Sequence, residues 1–429
     1  MIAVKRRIAL AYDRGSLEFE APLEKLIGCF EPNRLPPLQD VGGDLRRCLR
    51  EPVGAAPLRE IAAGKRSAAV VIDDSTRSVP SALLLDAVME ELDAAGIDAG
   101  NVTVLAATGL HRPMTGEELR QAVGRWHGRV RVENHDANNA DRLLRVGATS
   151  LGTELLVNRK YLEADLKILT GDVEHHQFCG FGGGAKSVYP GLADAEAIRR
   201  NHSRMDVEGA GPGQLDGNPV RAEIEEAGRM AGADFLLTLV LDPEHRVVSV
   251  HAGGVELAFR EACAEVDRMY RVAVPELADL VVASAGGYPK DGTLYQAQKA
   301  LTAAARLVRP GGEILLAAAC REGSGSVLFE EWMEAASTPD EVIERIRRSF
   351  VMGGHKAYQV AREVKRARVH LYSTLPEEKV RSWFMHPVAD WTGAAALAAE
   401  ARTVSVLPQA TLTLAEVGRD REEDGGHGV

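Results

Sequence analysis

The chain is poor in cysteine: five in 429 residues, at Cys29, Cys48, Cys179, Cys263 and Cys320. They are dispersed, odd in number and never spaced as CxxC, so neither a disulfide framework nor a structural zinc site is expected. Long hydrophobic runs are missing too. No stretch of 18 uncharged apolar residues occurs, and no membrane span is predicted. The opening segment MIAVKRRIALAYDRGSLEF has its short apolar run broken at Asp13 and Arg14 and lacks the small-residue cleavage site of a signal peptide. A reducing cytoplasmic compartment is therefore expected. A basic excess is absent as well: 51 Lys and Arg stand against 62 Asp and Glu, a formal charge of −11, which argues against a nucleic-acid partner. An anionic substrate stays compatible, because a few cations can make one cleft locally positive. No repeat at solenoid period and no long low-complexity tract is found.

What is present describes a globular protein. Hydrophobic residues make up 45% and charged residues 26%, and the length exceeds one ordinary core, so two domains are expected. Residues 4–12 read as an opening strand and 31–57 as loop with one short helix. Strands are predicted at 67–74, 101–109, 129–136 and 166–173, with helices at 81–95, 115–124, 216–230 and 257–270. Gly96 is read as a helix stop, and Thr115 with Glu118 as a capping box. A linker is placed at 271–278. Beyond it come strands at 279–287, 313–320 and 369–374 and helices at 294–308, 328–336 and 339–348. The alternation predicts an α/β fold: two α/β domains with largely parallel sheets and an interdomain active-site cleft. Their bounds are read as 1–270 and 279–415, with 416–429 a frayed, charged tail.

The densest segment runs TGDVEHHQFCGFGGGAKSVYPGLADAEAIRRNHSRM over 170–205. Gly180, Gly182, Gly183 and Gly184 permit close backbone approach, and Lys186 follows. The Walker pattern is not met, because Ala185 separates Gly184 from the lysine, and GxGxxG fails too. A tight structural turn would explain the glycines alone. The histidines point further. His175 and His176 precede them, His202 follows, and His111 stands in TGLHRP; histidines clustered beside glycine and lysine in loops after strands suggest a site.

The ordered set DDSTR, TGLHRP, TGxVExH with GxxGGxK, NHxR and YQAQK, spanning about residues 73–299, resembles the lactate racemase family. In that family a lysine carries a nickel-pincer nucleotide, a nicotinic-acid-derived mononucleotide whose two sulfurs and a ring carbon bind nickel, with a histidine completing the coordination. The resemblance implies that Lys186 bears this cofactor, that His202 is the nickel ligand, and that His111 and His176 are the two catalytic histidines. Asp74, Arg77, Gly182, Gly183 and Gly184 would make cofactor contacts, while Arg77, Tyr295, Gln296 and Lys299 would bind substrate. Arg112 and Arg204 would serve the cofactor phosphate. The implied activity is racemisation or epimerisation of a small 2-hydroxy acid. Hydride transfer suits an unactivated C–H bond, because it avoids a carbanion, and a neutral imidazole on each side can take the hydroxyl proton. The implied partners are the substrate and the cofactor-synthesis and nickel-insertion enzymes, with homo-oligomerisation open.

Other residues near these motifs have blander readings. His175 is read as orienting the loop, Cys179 as packing and His355 as structural; Asp73 and Tyr295 are balanced between structure and function. The family's C-terminal domain carries a tryptophan near the substrate. Here Tyr358 stands in that stretch, with Trp332 and Trp383 distant in sequence, which points away from lactate toward malate, an aromatic lactate or a sugar acid. Two alternatives stay open: a zinc hydrolase or lyase using His111, His176 and His202, and a nucleotide-binding module without catalysis.

Overall fold

The computed structural model describes residues 4–351 and 353–418. The chain divides into two compact units, one of Arg34–Met269 and one combining the residues up to Asn33 with those from Tyr270 onward.

The first unit is built on a six-stranded sheet in the order Val247–Gly253, Phe235–Leu241, Leu166–Asp172, Ala68–Ile72, Val102–Ala106, Arg131–Asn134. All neighbours are parallel except Val247–Gly253, which runs antiparallel along one edge. The central strands read as apolar runs, broken only by Thr103 and Thr238, as a parallel sheet buried on both faces requires. On one face Leu45, Leu49, Leu84, Leu85, Val88 and Leu92 pack against Val70, Ile72, Ile168 and Leu237. The helix Ser81–Ala94 supplies four of these at helical spacing and stops at Gly96, whose φ of +90° suits glycine. Thr115 and Glu118 form the expected capping box of the helix Gly116–Val123.

From Ala68–Ile72 the chain steps outward to the next two strands, then returns to the other side of Ala68–Ile72 with Leu166–Asp172. The order thus reverses between these two strands. Loops leaving their C-terminal ends must splay apart there, which opens the crevice where doubly wound sheets bind ligands. Those loops are DDSTR and VEHH.

The second unit carries its own sheet, all parallel, ordered His386–Pro387, Arg368–Tyr372, Val308–Ala317, Ala278–Ser284, Val404–Leu407, Leu26–Cys29. A hairpin of Lys5–Tyr12 and Gly15–Pro22 buries Ile8, Leu10 and Phe19 against Leu280, Val282 and the helix Gly393–Glu400. Elsewhere in the unit the helix Leu294–Ala305 packs on Ala278–Ser284 and Val308–Ala317 and touches the helix Gly354–Arg366.

Three expectations change. The first thirty-three residues do not join the 1–270 domain: Leu26–Cys29 hydrogen-bonds to the strand Val404–Leu407, and the hairpin finds its apolar partners in the same unit. The linker at 271–278 contains the strand Arg271–Val274, paired with Leu414–Val417. The tail begins later than 416, because Glu416 pairs with Arg271 and Arg306; residues 419–429 lie outside the described residues. Among the described residues no helix is long and apolar enough to cross a membrane.

Candidate active site

Asp73 and Asp74 follow directly from Ala68–Ile72. Asp74 is buried, and both its oxygens are used within the chain. Oδ1 accepts from the Thr76 amide at 3.0 Å and hydroxyl at 2.5 Å, and Oδ2 lies 2.6 Å from His111 Nδ1. Burial pushes this carboxyl up, but the hydrogen bonds from His111 and Thr76 outweigh it and hold Asp74 below the ordinary carboxylate range. Asp74, read from the sequence as a cofactor contact, here holds Thr76 and His111. A carboxylate only accepts, so it fixes the proton on His111 Nδ1 and leaves Nε2 as the basic nitrogen. His111 reaches this place through a turn in which its amide donates to Thr108 O at 2.8 Å and Gly109 takes φ +52°.

His175 and His176 form a short strand against Cys179–Phe181. His175 Nε2 is 2.7 Å from Asp267 Oδ1, so this ring is tied to the helix Val255–Tyr270. His176 Nδ1 lies 3.1 Å from Cys179 Sγ, and its ring meets Phe178 edge-on at 4.7 Å. Phe178 also touches the His202 ring at 5.3 Å, bridging the two imidazoles.

His202 stands near the end of the helix Ala195–Ser203, where its Nδ1 donates to Ile198 O at 2.9 Å. That bond fixes the tautomer and leaves Nε2 with a lone pair, the usual arrangement of a ligating histidine. Burial, with Lys186 and His111 nearby, pulls this ring down to about 4, so it is neutral at physiological pH. Backbone hydrogen bonds tie the His111 turn to the lysine turn: the Gly109 amide donates to Gly191 O at 3.0 Å, and the Gly191 amide donates to Lys186 O at 3.1 Å.

Lys186 sits in the turn Gly184–Ser187. Burial lowers its basicity and Arg77 adds to the effect, while Cys179 and Asp73 oppose it. Two of the three glycines before it answer to the protein's own packing. A Cβ on Gly183 (φ +79°) would lie 2.3 Å from Asp172 O, and one on Gly184 (φ +62°) would lie 2.7 Å from the Phe259 ring. Gly182 has only an ordinary 3.4 Å contact with Glu174.

Two buried acids act on the lysine: Asp73, already weighed in the sequence, and Asp172, which the sequence did not single out. Burial, then the Asp172 carboxylate, pushes Asp73 up, and burial does the same to Asp172. Asp73 Oδ2 has no hydrogen-bond partner among the described residues and fills the space that a side chain at Gly171 would take, 2.4 Å from its Cβ. Glu174 was visible only as the E of TGDVEHH. It forms an ion pair with Arg77, which occupies one of that guanidinium's five donors. Arg112 and Arg204 are committed elsewhere, the first to Glu118 at 2.6 Å and the second to buried Glu223 at 2.8 Å.

Tyr295, Gln296 and Lys299 lie in the second unit on the helix Leu294–Ala305, capped by Thr293. Gln296 and Lys299, three apart, are exposed on one face, and Tyr295 is half-buried. Trp332 proves close to the Tyr358 helix after all: its ring lies 2.7 Å from where a Cβ on Gly354 would be. Trp383 instead packs on Phe329 at 5.2 Å.

Imidazoles oriented by hydrogen bonds, beside the crevice of a doubly wound sheet, suit a small-molecule enzyme. Residues 12–211 match the family model of the Lactate racemase N-terminal domain, and 274–408 that of the Lactate racemase C-terminal domain. The chain is 32% identical over 348 residues to lactate racemase of Thermoanaerobacterium thermosaccharolyticum, covering 79% of this chain and 80% of that one. It is 32% identical over 304 residues to lactate racemase of Lactiplantibacillus plantarum, covering 70% and 71%. The lactate racemase apoprotein structure from T. thermosaccharolyticum superposes with a TM-score of 0.88 at 29% identity, over 96% of this chain and 100% of that one. A Thermotoga maritima protein at 20% identity shares the fold with a TM-score of 0.64, over 90% and 100%. The chain belongs to the lactate racemase family, and it is an isomerase of the racemase type.

Proposed function

We propose that this enzyme inverts the hydroxyl-bearing carbon of a small 2-hydroxy acid, with a nickel-pincer nucleotide attached to Lys186 as hydride acceptor. The observation that carries the reading is the Asp74–His111 pair standing in the same neighbourhood as neutral His202 and buried Lys186. The residues fit such a group. An amine of lowered basicity is suited to acylation, and His202 offers one imidazole lone pair. Among the described residues no three His, Cys, Asp or Glu side chains converge to hold a metal ion, so nickel at His202 needs its other donors from the nucleotide. This donor set also favours the racemase over the zinc hydrolase or lyase. When bound, the nucleotide supplies those donors and an electron-poor ring.

The chain's own residues handle the substrate and its proton. His111 Nε2 takes the hydroxyl proton from one enantiomer, and Asp74 stabilises the imidazolium that results. His176 does the same from the other side. The donors of Arg77 not engaged by Glu174 grip the carboxylate. Maturation depends on cofactor-synthesis and nickel-insertion enzymes.

The test uses protein co-produced with those enzymes and a 2-hydroxy acid deuterated at the carbinol carbon. Deuterium retained in the inverted product supports hydride return. Washout into solvent marks proton abstraction and overturns the hydride reading.

A further inference from the structure

The turn that carries Lys186 has little to hold it from within. It is a single 3-10 turn, Gly184–Ser187, entered through two left-handed residues, Gly183 at φ +79° and Gly184 at φ +62°. Its support comes from the helix Pro219–Met230. Asn218 caps that helix, and its Nδ2 donates to Phe178 O at 2.9 Å. Arg221 and Gly228, two turns apart, share one helix face. A Cβ on Gly228 would lie 2.6 Å from Ala185 Cβ, so helix and turn touch there. Arg221 is 1% exposed, and its Nη1 donates to Phe181 O and to Gly183 O, each at 3.3 Å. The Lys186 amide donates to the same Gly183 oxygen at 3.3 Å. The guanidinium lies 3.7 Å from the Phe259 ring centroid, and that ring takes the space a side chain at Gly184 would need. Arg221 Nε is paired with Glu225 Oε1 at 3.1 Å.

We propose that Arg221 is a positioning residue, which holds the Lys186 turn in the shape that receives the nucleotide. This rests on the reading above, in which Lys186 bears the cofactor. The rigid guanidinium fork can meet two carbonyls and a carboxylate at once while its face lies on a ring. An ammonium, a point charge on a flexible stem, cannot do all three. Packing alone would not select a cation here. An apolar side chain would fill the space without the cost of desolvation, and Arg221 Nη2 has no hydrogen-bond partner among the described residues. Burial and Arg77 lower the basicity of the Lys186 amine, and the Arg221 charge adds a smaller push in the same direction. That favours the neutral amine, whose lone pair is the nucleophile.

The full-length chain should be produced together with the cofactor-synthesis and nickel-insertion enzymes, and the fraction carrying the adduct read by intact mass. Arg221→Met should lower that fraction about fivefold or more, and Arg221→Lys should recover only part of it. Val88→Ala opens a cavity in the core on the helix Ser81–Ala94; it controls for lost stability and should keep the wild-type fraction. A wild-type fraction in Arg221→Met or Arg221→Lys, or an equal fall in Val88→Ala, overturns the proposal. A second arm needs no cofactor. Hydrogen exchange of the apo chain should show the amides of 182–187 exchanging about tenfold faster in Arg221→Met, with those of 81–94 unchanged. Unchanged rates at 182–187, or the same acceleration in both segments, overturn the proposal whatever the adduct result. Absence of an adduct from the wild-type chain would instead remove the cofactor reading, and the exchange arm would still decide whether Arg221 holds the turn.

Discussion

His111 Nδ1 sits 2.6 Å from Asp74 Oδ2, and this contact sets which nitrogen of the ring can act as a base. Asp74→Asn keeps the size of the side chain but removes the charge that would steady the imidazolium. In the matured enzyme kcat should fall about 10²-fold or more, with KM little changed. Wild-type kcat in Asp74→Asn would show that His111 does not carry the proton.

Lys186 and His202 separate attachment from metal binding. Lys186→Ala should leave the intact mass without an adduct and the protein inactive. His202→Ala should keep the adduct mass but lose nickel by metal analysis, since the Nδ1 bond to Ile198 O makes Nε2 the unprotonated nitrogen of the neutral ring. An adduct persisting in Lys186→Ala would remove the tether from this lysine.

Much of the fold could be read from local pattern. The apolar runs at 67–74 and 166–173, the capping box at Thr115 and the stop at Gly96 are encoded within a few residues, and each appears in the structure. Pairing across the chain left no such trace. Leu26 lies beside Val404, and Arg271 beside Leu414, so the membership of the first thirty-three residues and the strand hidden in the linker depend on contacts hundreds or scores of residues apart. The site divides the same way. His111, His176, Lys186 and His202 stand in recognisable motifs, whereas Asp172 and Asp267 gain meaning only from burial and neighbours that no spacing reveals.

The glycine loop should respond unequally to added methyl groups. At Gly183 a Cβ would strike the Asp172 carbonyl at 2.3 Å in a left-handed backbone, and backbone cannot swing aside. Gly183→Ala should cost about 1–3 kcal/mol by denaturant unfolding and lower the fraction of Lys186 carrying the adduct. Gly182→Ala, with an ordinary 3.4 Å contact, should cost less than about 1 kcal/mol, since a surplus Cβ there meets no rigid neighbour. Equal losses at the two positions would contradict this account of the turn.

Lys356 makes a prediction about stability that does not involve turnover. Its folded value is about 7 against 10.5 for the unexposed-to-burial amine, so between those pH values the unfolded chain binds more protons than the folded one. Stability then rises with pH across that window, and the penalty is largest below pH 7 and gone above 10.5. Lys356→Met fills the same space without charge and should be the more stable protein at pH 7 by about 1–4 kcal/mol. Its advantage should shrink as pH rises toward 10, because the wild-type amine loses its proton while the methionine has none to lose. Urea unfolding of both proteins at several pH values reads this group together with its coupling to Lys299, the remaining titrations being common to the pair. An advantage that stays constant with pH would mean that packing, and not a buried charge, separates the two.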